Sequence, residues 1–501
     1  MGVNKRFNRI AYDRTFTSHL SLMKRSSYKS MYDPLSDPIL DRFCSKILPE
    51  IHHQINWLDL ESTSMNRILR ATNYPNLYGV GLYGIDIEGV VSLFIDEAPL
   101  SHIFNSQISS LVIAFIRKSG RSSTINLHTL VFTQIFTIFT NLRHLHFDRY
   151  SMGFERLSFD VSPPTVSSST LLELHVCVRS FSDCLYLLDG RFNQLRSLHV
   201  NIYFISPSNV TIHNKDKLPN LRFFPLDCDM DTRAYDKLIV PLLHRMLNLE
   251  KLDLLLILNC DKELVNGNEL KKNIINHMPR LNNFTFNIYS YHYLPIQIDL
   301  SSNEDTQHTF EYFYNNKINS CVDYFKEKQY SQCLIYSYSY KFMFYKYLSN
   351  NFTGGFFKYV TEVSLYDERP FEHEFFLRIA HSFPIVRDLT LINRKPQLDK
   401  QYIKSKNNNQ NLSIIEWSHL TRLTLCEAHD DYVEQFLVDT KTCLPNIFYL
   451  SVDYQSLERV THNFRRNATR VNCAKLRFLS VYRTFEISEH VKDYFPHANV
   501  F

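Results

Sequence analysis

The sequence predicts an α/β solenoid, a stack of helix-then-strand units with parallel strands on one side and helices on the other. Three observations predict this fold: a six-residue apolar pattern that recurs along the chain, a steady spacing between its copies, and amphipathic segments between them. The chain has 501 residues, of which 44% are hydrophobic and 21% are charged. That composition is typical of a folded protein, and repetition allows one core to extend over such a length.

The recurring pattern places apolar residues at its first, fourth and sixth positions. Representative copies are LRHLHF at Leu142, LLELHV at Leu171 and LRSLHV at Leu195. From Leu142 the next copies begin after 29, 24, 26, 28 and 32 residues, close to the roughly 20–29 residues of a leucine-rich repeat. The remaining copies begin at Ile55, Leu77, Leu221, Leu249, Leu281, Val360, Val386, Leu420, Ile447 and Leu476, with weaker ones at Ile108 and Leu127.

The segments between the copies are predicted to be helices. Phe375, Ile379 and Phe383 recur at four-residue steps, and Pro384 follows where the helix has to end. The same order of amphipathic helix, proline and strand recurs elsewhere in the chain. Each strand and helix presents an apolar side that only its neighbours can cover, so stacking builds one continuous core.

The repeat resembles the leucine-rich-repeat-like domains of large F-box protein families, over roughly residues 35–501. The resemblance implies a leucine-rich-repeat-like solenoid with parallel strands on a concave face and helices on a convex face. Standard repeats carry Asn or Cys three residues after the last apolar position, where the side chain bonds to turn backbone. Here that position holds Thr63, Ile85, Tyr150, Arg179, Asp229 or Ala428. We therefore expect an irregular horseshoe.

The pattern divides the chain into segments. Residues 35–300 form a first repeat block and residues 356–501 a second. Residues 301–355 between them are polar and tyrosine-rich, and we interpret them as an insert or as degenerate repeats.

Residues 1–22 form a separate N-terminal segment. Within GVNKRFNRIAYD, the side chains of Phe7, Ile10 and Ala11 share one helical face. The stretch resembles the closing helix of an F-box, the module that docks the Skp-type adaptor of cullin-based ubiquitin ligases. Only that last helix of the module has a counterpart here. The alternatives are a cap on the first repeat or an organellar transit peptide.

The third and fifth positions of each copy point away from the core, because side chains alternate along a strand. On the concave face these positions are available to a partner. We predict that the partner-binding residues are His146, His175, His199, Glu362, Asp388, Arg422, Tyr449 and Phe478.

His146, His175 and His199 occupy the same fifth position in three successive copies. Since neighbouring strands lie about 4.8 Å apart, the rings should form a ladder. The ladder is interpreted as a solvated row, a pH-sensitive contact patch or a metal site. Three imidazoles on a flat face without a defined fourth ligand make a poor zinc site, so we predict no metal ion and no cofactor.

Several function classes are disfavoured. The formal net charge of +4 and the 11 glycines give no basis for a nucleic-acid or phosphate-binding surface, and no phosphate-loop, dinucleotide-binding, zinc-protease or serine-hydrolase motif occurs. We expect no membrane segment, and the ten cysteines without a C-x-x-C pair indicate the cytoplasm or the nucleus. The resemblance implies a non-enzymatic substrate-recognition subunit of an F-box ubiquitin ligase, working with a protein substrate, a Skp-type adaptor and a cullin scaffold. The alternative is a free-standing repeat scaffold without a ligase.

Overall fold

The computed structural model describes residues 13–25, 32–95, 106–116, 126–147, 156–159, 163–206, 218–261, 263–293, 302–311, 313, 318–337, 344–398, 413–446, 448–482 and 490–500. The chain divides into two compact units. The first comprises Met1–Leu258 and Leu270–Phe284, and the second comprises Asn259–Glu269 and Thr285–Phe501. Both combine helices with β-sheet, so the predicted α/β class is confirmed at that level.

The first unit is built on a large parallel sheet. Its strands are β1 (His19–Ser21), β4 (Trp57–Glu61), β5 (Gly79–Ile85), β6 (Ser110–Phe115), β7 (His144–Phe147), β8 (Glu173–Ser180), β9 (Ser197–Phe204), β10 (Phe223–Cys228) and β11 (Lys251–Asn259). They lie side by side in that order, each parallel to the next. A separate antiparallel pair is formed by β2 (Met23–Arg25) and β3 (Tyr32–Pro34).

A pair of parallel strands needs a crossover connection, and helices lie in most of the described connections of the first unit. They are α1 (Arg14–Thr17), α2 (Asp37–Arg42), α3 (Leu48–Ile51), α4 (Met65–Leu69), α5 (Ile87–Ile95), α6 (Asn126–Ile138), α7 (Phe181–Leu187), α8 (Val240–Leu243) and α9 (Gly267–Asn273). Two π-helical turns, Phe43–Ile47 and Tyr235–Ile239, stand directly before α3 and α8. Pro49 and Pro241 follow these turns, and a widened turn relieves the clash of a proline ring with the preceding carbonyls.

The repeated pattern sets which side chains are buried. In the copy that leads into β8, Leu171 and Leu174 are fully buried and Val176 is 3% exposed, while Glu173 and His175 between them are partly exposed. Burying a side chain of this size contributes about 1.5–3 kcal/mol. Repeated over the copies, that contribution fixes the register of the sheet, because a one-residue slip would expose the whole apolar set.

For one weak copy of the pattern the predicted strand is wrong. The copy beginning at Leu127 was predicted as a strand, but it lies within the helix α6. Val131, Phe132 and Ile135 are fully buried, and their three- and four-residue steps follow one helical face. Helical packing therefore determines the structure of this segment.

The second unit contains two kinds of sheet. The strands β12 (Asn283–Tyr293), β14 (Tyr330–Ser337) and β13 (Ile318–Phe325) are antiparallel neighbours in that order. A parallel sheet contains β15 (Phe344–Leu348), β16 (Glu362–Tyr366), β17 (Asp388–Ile392), β19 (Arg422–Cys426), β21 (Phe448–Asp453), β22 (Leu476–Tyr482) and β23 (Asn499–Val500). A two-stranded pair is formed by β18 (Ile415–Glu416) and β20 (Thr442–Cys443).

The helices of the second unit precede or connect its strands. They are α10 (Asn303–His308), α11 (His373–Ser382), α12 (Asp430–Leu437), α13 (Tyr454–Val460), α14 (Asn467–Cys473) and α15 (His490–Tyr494). The predicted helix around Phe375 and Ile379 is α11, and both residues are buried. Within the described part of the chain, no helix is long and apolar enough to cross a membrane.

Polar side chains stabilise the turns after two strands of this parallel sheet. Asp367 follows β16 and accepts the backbone N–H of Arg369 at 2.8 Å. Asn393 follows β17 and accepts the backbone N–H of Lys395, also at 2.8 Å. These are Asx-type turns, in which a short side chain replaces a backbone acceptor. They stand two residues after the last apolar position, one residue before the Asn or Cys position of a standard repeat.

Candidate functional site

A single row of side chains crosses the parallel sheet of the second unit. Because the strands are in register, one outward position of each strand lies beside the same position of the next. The row contains Phe344, Glu362, Asp388, Arg422, Tyr449, Phe478 and Asn499. The structure thus brings together all five residues of this block that the sequence predicted to bind a partner.

The row joins an ion pair to an aromatic pair. Arg422 Nε lies 3.6 Å from Asp388 Oδ1, and burial raises the pKa of Asp388, an effect opposed by the Arg422 guanidinium. Beside them the rings of Tyr449 and Phe478 stack at 4.2 Å with 9° between their planes, and Tyr449 is 40% exposed. Aromatic and arginine side chains of this kind often carry most of the binding energy at protein interfaces.

A second row of short hydroxyl side chains runs beside the first on the same face. Two residues farther along each strand, the registered positions are Ser364, Thr390, Thr424, Ser451 and Ser480. Ser451 Oγ lies 2.6 Å from the Tyr482 hydroxyl. The outward face therefore carries a row of short hydroxyl side chains beside a row of charged and aromatic ones.

A tyrosine cluster on the same face was missed by the sequence analysis. Tyr366 follows Glu362 and Ser364 on the same side of β16, but it is only 5% exposed, because its ring packs 4.8 Å from Phe325 and 6.1 Å from Tyr330. The ammonium of Lys328 sits 4.3 Å from the centre of the Tyr366 ring, a favourable cation–π geometry. Continuing the alternation beyond the sixth position would have found Tyr366.

The outward face of the first unit carries the predicted histidines. His146, His175 and His199 are registered partners on β7, β8 and β9. The rings of His175 and His199 stack at 3.7 Å with 11° between their planes, and His146 lies 4.5 Å from His175. The predicted ladder is therefore present, and at its end the Phe223 ring lies nearly perpendicular to the His199 ring, with 4.7 Å between the ring centres.

Glu173 shares this face with the ladder. His175 Nε2 donates a hydrogen bond of 2.6 Å to Glu173 Oε1, and that bond lowers the pKa of the carboxyl. Burial, aided by the nearby His175, lowers the pKa of His146 to about 4 and that of His199 to about 3. The rings of His146 and His199 are therefore neutral at neutral pH, and the Glu173 side chain is a carboxylate.

A third arrangement lies on β1, β4 and β5. Asp59 accepts hydrogen bonds from Trp57 Nε1 at 2.7 Å and from His19 Nε2 at 2.8 Å. Gly79 lies under the indole, and a Cβ on it would come within 2.0 Å of Trp57 Cε3. A side chain at position 79 would therefore have to displace the indole.

The predicted adaptor-facing residues Phe7, Ile10 and Ala11 lie outside the described residues. Comparison with known proteins adds no relationship: no protein-family model matches the chain, and no curated protein matches it. Fold and surface together define a mixed α/β protein whose largely parallel sheets present ordered rows of polar and aromatic side chains.

Proposed function

We propose that this chain is a non-enzymatic protein-interaction module that holds a protein partner on the outward face of its sheets. The observation that carries the proposal is the registered row from Glu362 to Phe478. Four inter-strand steps of about 4.8 Å make this row about 19 Å long, which is a suitable scale for the centre of an interface. Its members combine a stacked aromatic pair, of which Tyr449 is exposed and Phe478 partly exposed, with an arginine–carboxylate pair.

We further propose that the chain is a leucine-rich-repeat-like solenoid of the kind that recognises substrates in F-box ubiquitin ligases. Two features support this: the recurring six-residue pattern, and strands that start within it and run parallel. In this role the chain performs no bond chemistry and raises the concentration of its target near a ubiquitin-charged enzyme. The ten free thiols are in keeping with work in the cytoplasm or the nucleus.

A comparison of surface variants tests the proposed binding face. Partner proteins are captured from cell extract on the intact chain and on the variants Tyr449→Ala and Phe478→Ala. The matched control is Tyr359→Ala, because Tyr359 is 44% exposed in the same unit but lies outside the row. We expect one captured protein to be lost at least tenfold from both row variants and retained by the control. Equal capture by all four proteins would contradict the proposed surface.

The ligase role is tested separately. Purified Skp-type adaptor is mixed with the 501-residue chain and with its variant Ile10→Asp, and binding is measured by co-precipitation. We expect the 501-residue chain to bind and the charged variant to lose binding. Failure of this chain to bind would remove the ligase role for this chain and favour the alternative, a free-standing repeat scaffold that uses the same outward face.

A further inference from the structure

We propose that Glu173, His175 and His199 form a binding site for a divalent first-row transition-metal ion such as Zn²⁺. A metal-ligating atom of each residue lies within 4.8 Å of the other two. The site stands on the outward face of β8 and β9, and it does not depend on whether a protein partner binds the second unit.

The backbone fixes the positions from which the three donors project. Glu173 and His175 are two residues apart on β8 and therefore point to the same side. His199 is the registered partner of His175 on β9. The parallel register of these strands extends from the Glu173–Ser197 pair to the Ser180–Phe204 pair. Ligands on such rigid, hydrogen-bonded elements are positioned more accurately than ligands on loops.

The donors converge after small side-chain rotations. In a tetrahedral site with bonds of about 2.0–2.1 Å, neighbouring donor atoms lie about 3.3 Å apart. The distance between Glu173 Oε1 and His175 Nε2, now 2.6 Å, has to increase to reach this value. The largest distance between two donor atoms is at most 4.8 Å, so it has to decrease by at most about 1.5 Å. Because the two imidazole rings are stacked 3.7 Å apart and nearly parallel, binding also requires one imidazole to turn about its χ2 bond. His175 Nε2 can bind the ion only after it gives up the proton that it donates to Glu173.

The donor set selects the class of ion. Two imidazole nitrogens and one carboxylate oxygen occur in zinc sites that keep an open position and in non-haem iron(II) sites. Calcium and magnesium prefer sites made of oxygen donors. The sequence analysis predicted no metal ion because the three histidines had no defined further ligand. In the structure Glu173 supplies a carboxylate ligand beside His175. The Glu173 and His175 side chains are 39% and 26% exposed, so an ion at this site would be in contact with solvent.

Titration calorimetry with ZnCl₂ alone, on the purified full-length chain, tests the site. We expect saturable binding, and we expect Glu173→Gln and His199→Ala each to weaken the association constant at least tenfold. The matched control is His277→Ala, because His277 stacks on His244 at 3.9 Å and 22° in the same unit. In that second pair His244 Nε2 is already bound to the Asn273 carbonyl at 2.7 Å. The control should leave the affinity unchanged.

Substitution with Co²⁺ gives a second readout. The visible absorption of a four- or five-coordinate Co²⁺ ion should appear with the intact chain and with His277→Ala, and disappear with Glu173→Gln. Thermal unfolding without metal shows which variants are folded. If His199→Ala is unfolded, the Glu173→Gln variant alone tests the metal site, because Glu173 is partly exposed. The proposal is overturned if the intact chain shows no saturable binding, or if Glu173→Gln binds as tightly as the control.

Discussion

Asp183 is fully buried at the start of α7, where it accepts hydrogen bonds from two segments of backbone. Its Oδ1 accepts the Phe159 N–H at 2.6 Å, and its Oδ2 accepts the Ser180 N–H at 2.8 Å. Ser180 ends β8, the strand that carries Glu173 and His175. The carboxylate therefore fixes the end of a strand on which the candidate metal site depends.

Ser180 Oγ also donates a hydrogen bond to Asp183 Oδ2 at 2.7 Å. The two backbone N–H donors set the magnitude, because a hydroxyl group can turn to another acceptor. In Asp183→Ala both N–H groups lose this acceptor, at about 1–3 kcal/mol for each buried donor, so the unit should lose about 2–6 kcal/mol of unfolding free energy. Asp183→Asn retains one acceptor oxygen and should lose roughly half as much. For a unit of this size a loss of about 4 kcal/mol lowers the Tm by roughly 8–16 °C.

Scanning calorimetry measures the effect, and a second capping box provides the control. Asp305 makes the same reciprocal pair with Ser302 at the start of α10, but in an exposed position. Asp305→Ala should cost only about 1 kcal/mol, because water replaces the lost bonds. If Asp183→Ala and Asp305→Ala lower the Tm equally, then the burial argument is wrong.

Three further outcomes are expected. Leu198→Ala, at a fully buried pattern position, should lower the unfolding free energy by about 3–5 kcal/mol in thermal melts; a change under about 1 kcal/mol would contradict the assigned core position. Gly79→Val should displace the Trp57 ring and shift its fluorescence to the red, and an unshifted spectrum would mean that the ring does not lie on Gly79. Alkylation of the folded protein, followed by mass spectrometry, should label the exposed Cys443 before the buried Cys184. Burial raises the pKa of Cys184 to about 12 and keeps it a protonated thiol, so equal rates of labelling at the two cysteines would refute this.

The strands could be predicted from sequence because their inward positions repeat an apolar signal. The strand β8 is predicted by its own apolar residues Leu171, Leu174 and Val176. No information about the neighbouring strands is needed. The copy at Leu127 failed because apolar residues at the first, fourth and sixth positions also fit one side of a helix. A six-residue window is too short to distinguish the two periods, and only packing in the folded chain decides between them.

The candidate surfaces were only partly predictable. Alternation along a strand identifies the outward residues, such as Tyr449 and His175, and the repeat register aligns them. The contact between Lys328 and the Tyr366 ring joins a tight turn to a strand of the parallel sheet. No local pattern encodes such a contact, since it depends on how antiparallel and parallel strands of the second unit pack together.

Each member of the row from Glu362 to Phe478 belongs to a different strand, and the residue that follows it on that strand is buried in the core. An exchange at one row position therefore alters the outward surface of one strand and leaves the apolar interior unchanged. Under the proposed function, recognition can diversify one strand at a time, by single substitutions that the fold tolerates. Surface chemistry and stability are encoded at alternate positions of the same short segments, so each can evolve with little cost to the other.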